Sequence, residues 1–185
     1  NKFFYSAVAA KKSNFFLMVD FTAAFSSVSH SFLYEVLSVW GIPCEWIHLV
    51  KELYKDCSHE IQLGSRTFPG PDVHSGTKQG CPLSPFLFIL VIETLLFQIA
   101  KIIPSSAIFA FAGDIGILFR LLAKICPIIE IFERFSKCSA LCVNILKTAL
   151  LKSTSFTHFD WHFLVSTPWS SILWSECEKY LGILI

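Results

Sequence analysis

Charge is scarce in this chain. Asp, Glu, Lys and Arg together make up only 16% of its 185 residues, and 15 basic residues nearly balance 14 acidic ones, for a net charge of +1. A protein that grips nucleic acid through phosphates normally carries a basic excess, so the charge balance alone points to no such partner. Long uninterrupted apolar runs are missing too. Pro85 to Ala100 is broken by Glu93 and Gln98 and falls short of the ~20 apolar residues a spanning helix needs. Ile102 to Leu118 contains Pro104, two serines and Asp114. No membrane span is expected. No basic start precedes an apolar run and a small-residue cleavage site, because Lys11 and Lys12 follow the apolar stretch. The expectation is an intracellular protein, nuclear or cytoplasmic, and not a secreted one.

Cys-x-x-Cys pairs are absent as well. The 7 cysteines (44, 57, 81, 126, 138, 142 and 177) are scattered, and Cys138/Cys142 have no matching second pair. A zinc site is therefore not expected, whereas buried reduced thiols are. No internal repeat, low-complexity tract or linker divides the chain, and its length suits one compact domain.

Apolar residues are what the chain has in quantity: 54% of the total, with 19 Phe, against a usual ~45–50%. Their spacing predicts elements. Asn1 to Lys12 carries Phe3, Phe4, Ala7 and Val8 at helical spacing. Phe15 to Val19 is a short continuous run ending at Asp20, the pattern of a buried strand that delivers a carboxylate at its end. Phe32, Leu33, Val36, Leu37 and Trp40 form a helical stripe stopped at Gly41, and Trp46, Ile47, Val50, Leu53 and Tyr54 form another after Pro43. His59 to Leu63 alternates, turns at Gly64 and meets a partner strand at Arg66 to Phe68. Gly76 to Pro85 is a loop, followed by a helix from Phe86 to about Lys101 that is apolar on nearly every side. Ile108 to Phe111 and Ile115 to Phe119 read as a β-hairpin turning at Ala112-Gly113-Asp114. A helix follows from Pro127 to about Leu141, then short strands at Thr148 to Leu151, Phe159 to Val165 and Tyr180 to Ile185. The order is α+β.

Two acidic positions could form a metal site. Asp20 ends a buried strand, and Asp114 sits in a hairpin turn. If those strands are neighbours, the carboxylates converge at one sheet edge, where magnesium could take them as hard oxygen ligands. Asp is also common in turns for purely local reasons. His158, Asp160 and His162 alternate, which on a strand would put all three on one face. A metal site or a plain polar strand face would both look like this.

The order of several blocks narrows the choice. Phe16-Leu17-Met18-Val19-Asp20-Phe21-Thr22-Ala23-Ala24-Phe25, continuing to Val28-Ser29-His30, resembles the first palm motif of non-LTR (LINE-type) retrotransposon reverse transcriptases. Ser75-Gly76-Thr77-Lys78-Gln79-Gly80-Cys81-Pro82-Leu83-Ser84-Pro85 is nearly a verbatim copy of that family's second motif. Phe109-Ala110-Phe111-Ala112-Gly113-Asp114 resembles its hairpin motif, normally aromatic-Ala-Asp-Asp. Ser139-Ala140-Leu141-Cys142-Val143-Asn144, with Lys147, resembles the fourth motif, and Lys179-Tyr180-Leu181-Gly182 the short motif at the palm–thumb junction.

The resemblance implies an α+β right-hand palm subdomain with a ferredoxin-like sheet and helices packed on one face. It also implies nucleotidyl transfer to a primer 3′-hydroxyl by two magnesium ions, with an RNA template, a DNA primer and deoxynucleoside triphosphates as partners. It makes Asp20 and Asp114 catalytic metal ligands, with the Phe21 carbonyl as a helper. Phe25 falls at the gate that crowds a ribose 2′-hydroxyl, although in so Phe-rich a chain a core ring looks the same. Gln79 and Gly80 would line the nucleotide and template path, glycine allowing close backbone approach. Lys147 would sit near the triphosphate, or be an ordinary surface lysine.

Departures from the family pattern bear on activity. The position of the hairpin's first carboxylate, the principal metal ligand, is Gly113. Glycine suits a tight turn, so the fold is expected to survive while the ligand is lost. Ser26 replaces a usual Asp, Ala140 a usual Gly, and Ala23 a position often charged. The chain is expected to be a single partial domain over 1–185, with remnants of fingers at 1–12 and of the palm–thumb junction at 176–185. The favoured expectation is an inactive or strongly impaired copy. The alternatives are an enzyme that fills the gap with water or Asp114, a non-catalytic nucleic-acid-binding or assembly remnant, and a membrane-associated protein.

Overall fold

A computed structural model describes residues 14–111, 113–175, 179–180 and 183–184. Its centre is a five-stranded sheet in the order β4-β5-β1-β6-β7. These strands are β1 (Phe15–Val19), β4 (Ile108–Phe111), β5 (Asp114–Phe119), β6 (Ala149–Lys152) and β7 (Leu173–Ser175). Strands β2 (Ser58–Leu63) and β3 (Arg66–Asp72) form a separate hairpin, and β8 (Lys179–Tyr180) and β9 (Ile183–Leu184) another. The β4, β5, β1 and β6 ladders are antiparallel, while β7 joins β6 in parallel. All five residues of β1 are buried, because the strand has neighbours on both sides and packing on both faces.

Side chains alternate across that strand. Phe15, Leu17 and Val19 join Ile115, Ile117, Phe119 and Leu150 in the large core, while Phe16 and Met18 pack with Ala149 and Leu151 on the other face. The helices are α1 (Ala24–Ser27), α2 (His30–Val39), α3 (Cys44–Tyr54), α4 (Ser84–Ala100), α5 (Ile125–Ser139) and α6 (His158–Val165). All but α6 lie where no strand was expected. Helix α1 is a single turn that buries nothing, and α3 buries Val50 and Tyr54 of its stripe but leaves Trp46 and Leu53 exposed. Helix α2 buries Leu33, Val36 and Leu37, and Gly41 just beyond it has φ +76°, the left-handed stop expected there. Helix α4 buries Leu87, Phe88, Val91, Ile92, Leu95 and Ile99 but leaves Phe86, Ile89 and Phe97 about half exposed or more. The expectation of burial on nearly every side is thus corrected. An apolar residue on each face hides which face is inward. No described helix is long and apolar enough to cross a membrane.

The exception is α6. Phe159 to Val165 alternates like a strand, yet the segment is helical. Thr157 and Asp160 form a reciprocal capping box, in which the Thr157 hydroxyl accepts from the Asp160 amide and Asp160 Oδ2 accepts from the Thr157 amide at 2.7 Å. The local cap outweighs the alternating pattern. Asp160 then turns inward to Lys152 of β6, whose side chain is only 6% exposed, at 2.5 Å. His158 and His162 stay on the outer surface, so the three do not share one face.

The expectation of buried thiols also fails. Of the described cysteines, Cys44, Cys138 and Cys142 are exposed and Cys57, Cys81 and Cys126 half-buried, because they occupy helix ends and turns instead of the core. The helix expected at 1–12 and most of the junction at 176–185 lie outside the described residues, apart from the two short strands of the β8–β9 pair.

Candidate active site

The β1–β5 ladder decides where the carboxylates stand. Its register runs from Phe15 opposite Phe119 to Val19 opposite Ile115. Continued by one residue, it sets Asp20 opposite Asp114. The β4–β5 hairpin closes at Phe111 opposite Asp114, which holds that carboxylate at the sheet edge. The two strands are neighbours, so the two acidic residues face each other at the sheet edge.

A third segment crosses the same edge. The Asn144 amide donates to the Asp20 carbonyl at 2.8 Å, and the Thr22 amide donates to the Cys142 carbonyl at 2.9 Å. These two bonds make the Phe21–Val143 bridge without using the Phe21 carbonyl. The turn after the bridge, closed by Lys147 and Thr148 amides on the Asn144 carbonyl, brings Lys147 Nζ to 3.9 Å from Asp20 Oδ2. Lys147 is largely solvent-exposed, so this pair is a loose surface contact and not a strong lock.

Electrostatics agree with the geometry. Burial pushes the Asp114 carboxyl above its ordinary value, the facing Asp20 charge pushes it further, and Lys147 pulls back part of the way. Two like charges share the edge with one partial counter-charge. Among the described residues, no group of three or more His, Cys, Asp or Glu side chains converges here or elsewhere.

Gly113 stands beside Asp114, at the hairpin turn. Its φ lies outside the left-handed region, and a Cβ built on it would meet only the Ala24 Cβ, at 3.2 Å. The hairpin forms with glycine in place, as expected, although the backbone does not require one here. A side chain fits if Ala24 gives way by a few tenths of an ångström.

The second block docks on the first. The Thr77 amide and hydroxyl both donate to the Phe25 carbonyl, at 2.6 and 3.2 Å, and the Gly76 amide donates to the Val28 carbonyl at 2.7 Å. Gly76 has φ +87°, and a Cβ there would fall 2.6 Å from the Ser26 carbonyl oxygen. His30 Nε2 is 2.8 Å from the Gly76 carbonyl and so donates to it. Sequence reasoning gave Gly76, Thr77 and His30 no role of their own. Their presence within the two motif blocks was the available signal. The Phe25 ring is half-buried and stacks on Phe88 at 4.3 Å, so its gate and core readings describe one ring. Gln79 and Gly80 are exposed, and Gly80 has φ +82° with open space around it. No hydrogen bond or ion pair ties either of them to Asp20, Asp114 or Lys147 among the described residues.

Residues 4–185 match the family described as reverse transcriptase (RNA-dependent DNA polymerase). The chain belongs to that family. This reverse transcriptase domain is 31% identical over 108 residues to the Pol polyprotein of retrotransposable element R2 from Popillia japonica, covering 54% of this chain and 18% of that protein. It is 32% identical over 112 residues to the R2DM polyprotein of Drosophila melanogaster, covering 56% and 10%. It is also 24% identical over 181 residues to the transposon TX1 149 kDa protein of Xenopus laevis, covering 92% and 14%. The domain spans less than a fifth of the length of these relatives. Apo telomerase from Candida tropicalis, truncated from its C-terminal domain, shares the fold with TM-score 0.67 at 10% identity, over 100% of this chain and 36% of that one.

Proposed function

We propose that this chain is the palm portion of an RNA-directed DNA polymerase and that this copy transfers nucleotides poorly or not at all. The observation that carries the proposal is the edge where Asp20 faces Asp114 while Gly113 offers no carboxylate. The donor set fits a divalent metal in part. Two carboxylates and the Phe21 carbonyl are hard oxygen donors of the kind magnesium takes, but two metals side by side need a further bridging carboxylate. When bound, such ions stabilise the attacking and leaving oxygens of phosphoryl transfer. Asp20 and Asp114 would hold them. Lys147, exposed beside Asp20, would meet the negative charge of an incoming triphosphate. Phe25, anchored through Thr77, would limit space at the sugar, and Gln79 and Gly80 would border the template. The expected partners are an RNA template, a DNA primer and deoxynucleoside triphosphates.

A metal clamp contributes several kcal/mol, and each ~1.4 kcal/mol is tenfold in rate. Losing its bridging ligand should therefore slow transfer by about 100-fold or more. The test is primer extension on a homopolymer RNA template by a full-length element protein carrying this domain, with and without Gly113→Asp. A large gain with Asp supports the proposal. Equal activity in both proteins refutes position 113 as the lesion.

A further inference from the structure

We propose that His158 and His162 form a two-imidazole chelate for a divalent transition metal such as nickel(II), on the outer face of α6 and independent of the polymerase reading. Residues four apart on a helix project from one face with Cβ atoms about 5–6 Å apart, close enough for two imidazoles to share one ion. Both side chains are exposed, and they line one open concavity of about 330 Å³ together with Trp161, Val165 and Ser166. Neither imidazole is engaged by a hydrogen bond, ion pair or ring contact among the described residues. His30, by contrast, is held on the Gly76 carbonyl.

The helix presenting the pair is held at two points. Its start is locked by the Thr157–Asp160 capping box, and Trp161 stacks on Trp174 of β7 at 4.8 Å and 13°. Two ligands held on a fixed helix lose less freedom on binding than two on a loop. Asp160 cannot serve as a third ligand, since its carboxylate is committed to Lys152 and Thr157. No third His, Cys, Asp or Glu completes the set among the described residues, so water fills the other positions. Nitrogen donors of this kind favour nickel, copper and zinc over magnesium and manganese. The site therefore differs in metal class from the all-oxygen edge at Asp20 and Asp114.

Nickel(II) titration of the whole chain by calorimetry tests this, beside His158→Gln, His162→Gln, the double variant, and His48→Gln as a control. The expected result is one saturable site, weakened about tenfold or more by either single change and unaffected by the control. Circular dichroism checks that each variant keeps its helix. Binding that survives in the double variant would place the metal on other imidazoles or on the exposed thiols and overturn the proposal. So would a single variant that binds within about threefold of the unchanged protein.

Discussion

Replacing Asp160 with asparagine leaves Lys152 without its counter-charge in a place water hardly reaches. The Lys152 and Asp160 side chains are 6% and 10% exposed, and the ammonium also lies over the Phe15 and Phe156 rings at 5.4 and 5.8 Å. Asp160 Oδ2 accepts from Lys152 and from both the amide and the hydroxyl of Thr157, so one atom anchors the ion pair and the cap of α6. Removing one partner of a buried pair costs about 3–5 kcal/mol, because the other charge stays buried and uncompensated. Asp160→Asn should lose that amount in urea unfolding followed by circular dichroism. Lys152→Met/Asp160→Asn should recover most of it, since neither charge is then stranded.

The acid limb gives an independent check. Burial works to raise the Asp160 carboxyl, but the Lys152 pair and the Thr157 hydrogen bonds outweigh it and hold the carboxyl below its ordinary value. A carboxylate lowered in the folded state binds fewer protons there than in the unfolded chain. Its stabilisation is complete above the unfolded value near ~3.9 and fades as pH falls through the folded one. The unchanged protein should therefore lose stability more steeply below about pH 4 than the double variant does. A loss under about 1 kcal/mol for Asp160→Asn, or identical acid limbs, would refute this reasoning.

Other consequences follow from the backbone. Ala140 caps α5 with φ +62°, a left-handed conformation costing an L-residue ~1–2 kcal/mol, offset in part by the ~0.5–1 kcal/mol glycine loses on ordering. Ala140→Gly should therefore stabilise by about 0.5–1 kcal/mol and raise Tm by ~2 °C in calorimetry. Gly76→Ala combines a left-handed φ with a Cβ 2.6 Å from the Ser26 carbonyl oxygen. It should lose at least ~2 kcal/mol, whereas Gly80→Ala, with similar φ but open space, should lose only ~1 kcal/mol. Matching losses at the two glycines would mean that the close packing of the two blocks contributes nothing.

Much of this was legible in the sequence because the informative residues are locally constrained. A buried strand must be apolar throughout, so Phe15 to Val19 and its terminal Asp20 are unambiguous. The hairpin around Asp114 is fixed by two short apolar runs and a turn. The approach of Asp20 to Asp114 needed the tertiary pairing of β1 with β5, which no local pattern specifies. Alternation failed at α6, because residues 158–163 satisfy period two by chance while the deciding signal was Thr157 three residues before Asp160. The roles of Gly76 and Thr77 were hidden for a different reason. Each acts through a backbone partner some fifty residues away, and a backbone partner leaves no trace in side-chain chemistry.

Manganese(II) binding, followed by electron paramagnetic resonance, tests the central claim without requiring any catalysis. Manganese accepts oxygen ligands as magnesium does and binds imidazole weakly, which keeps His158 and His162 out of the measurement. With Asp20 facing Asp114 and position 113 bare, the unchanged chain should bind weakly, Gly113→Asp should bind about tenfold or more tightly, and Asp20→Asn should abolish that gain. Equal manganese affinity for the unchanged chain and Gly113→Asp would contradict the account.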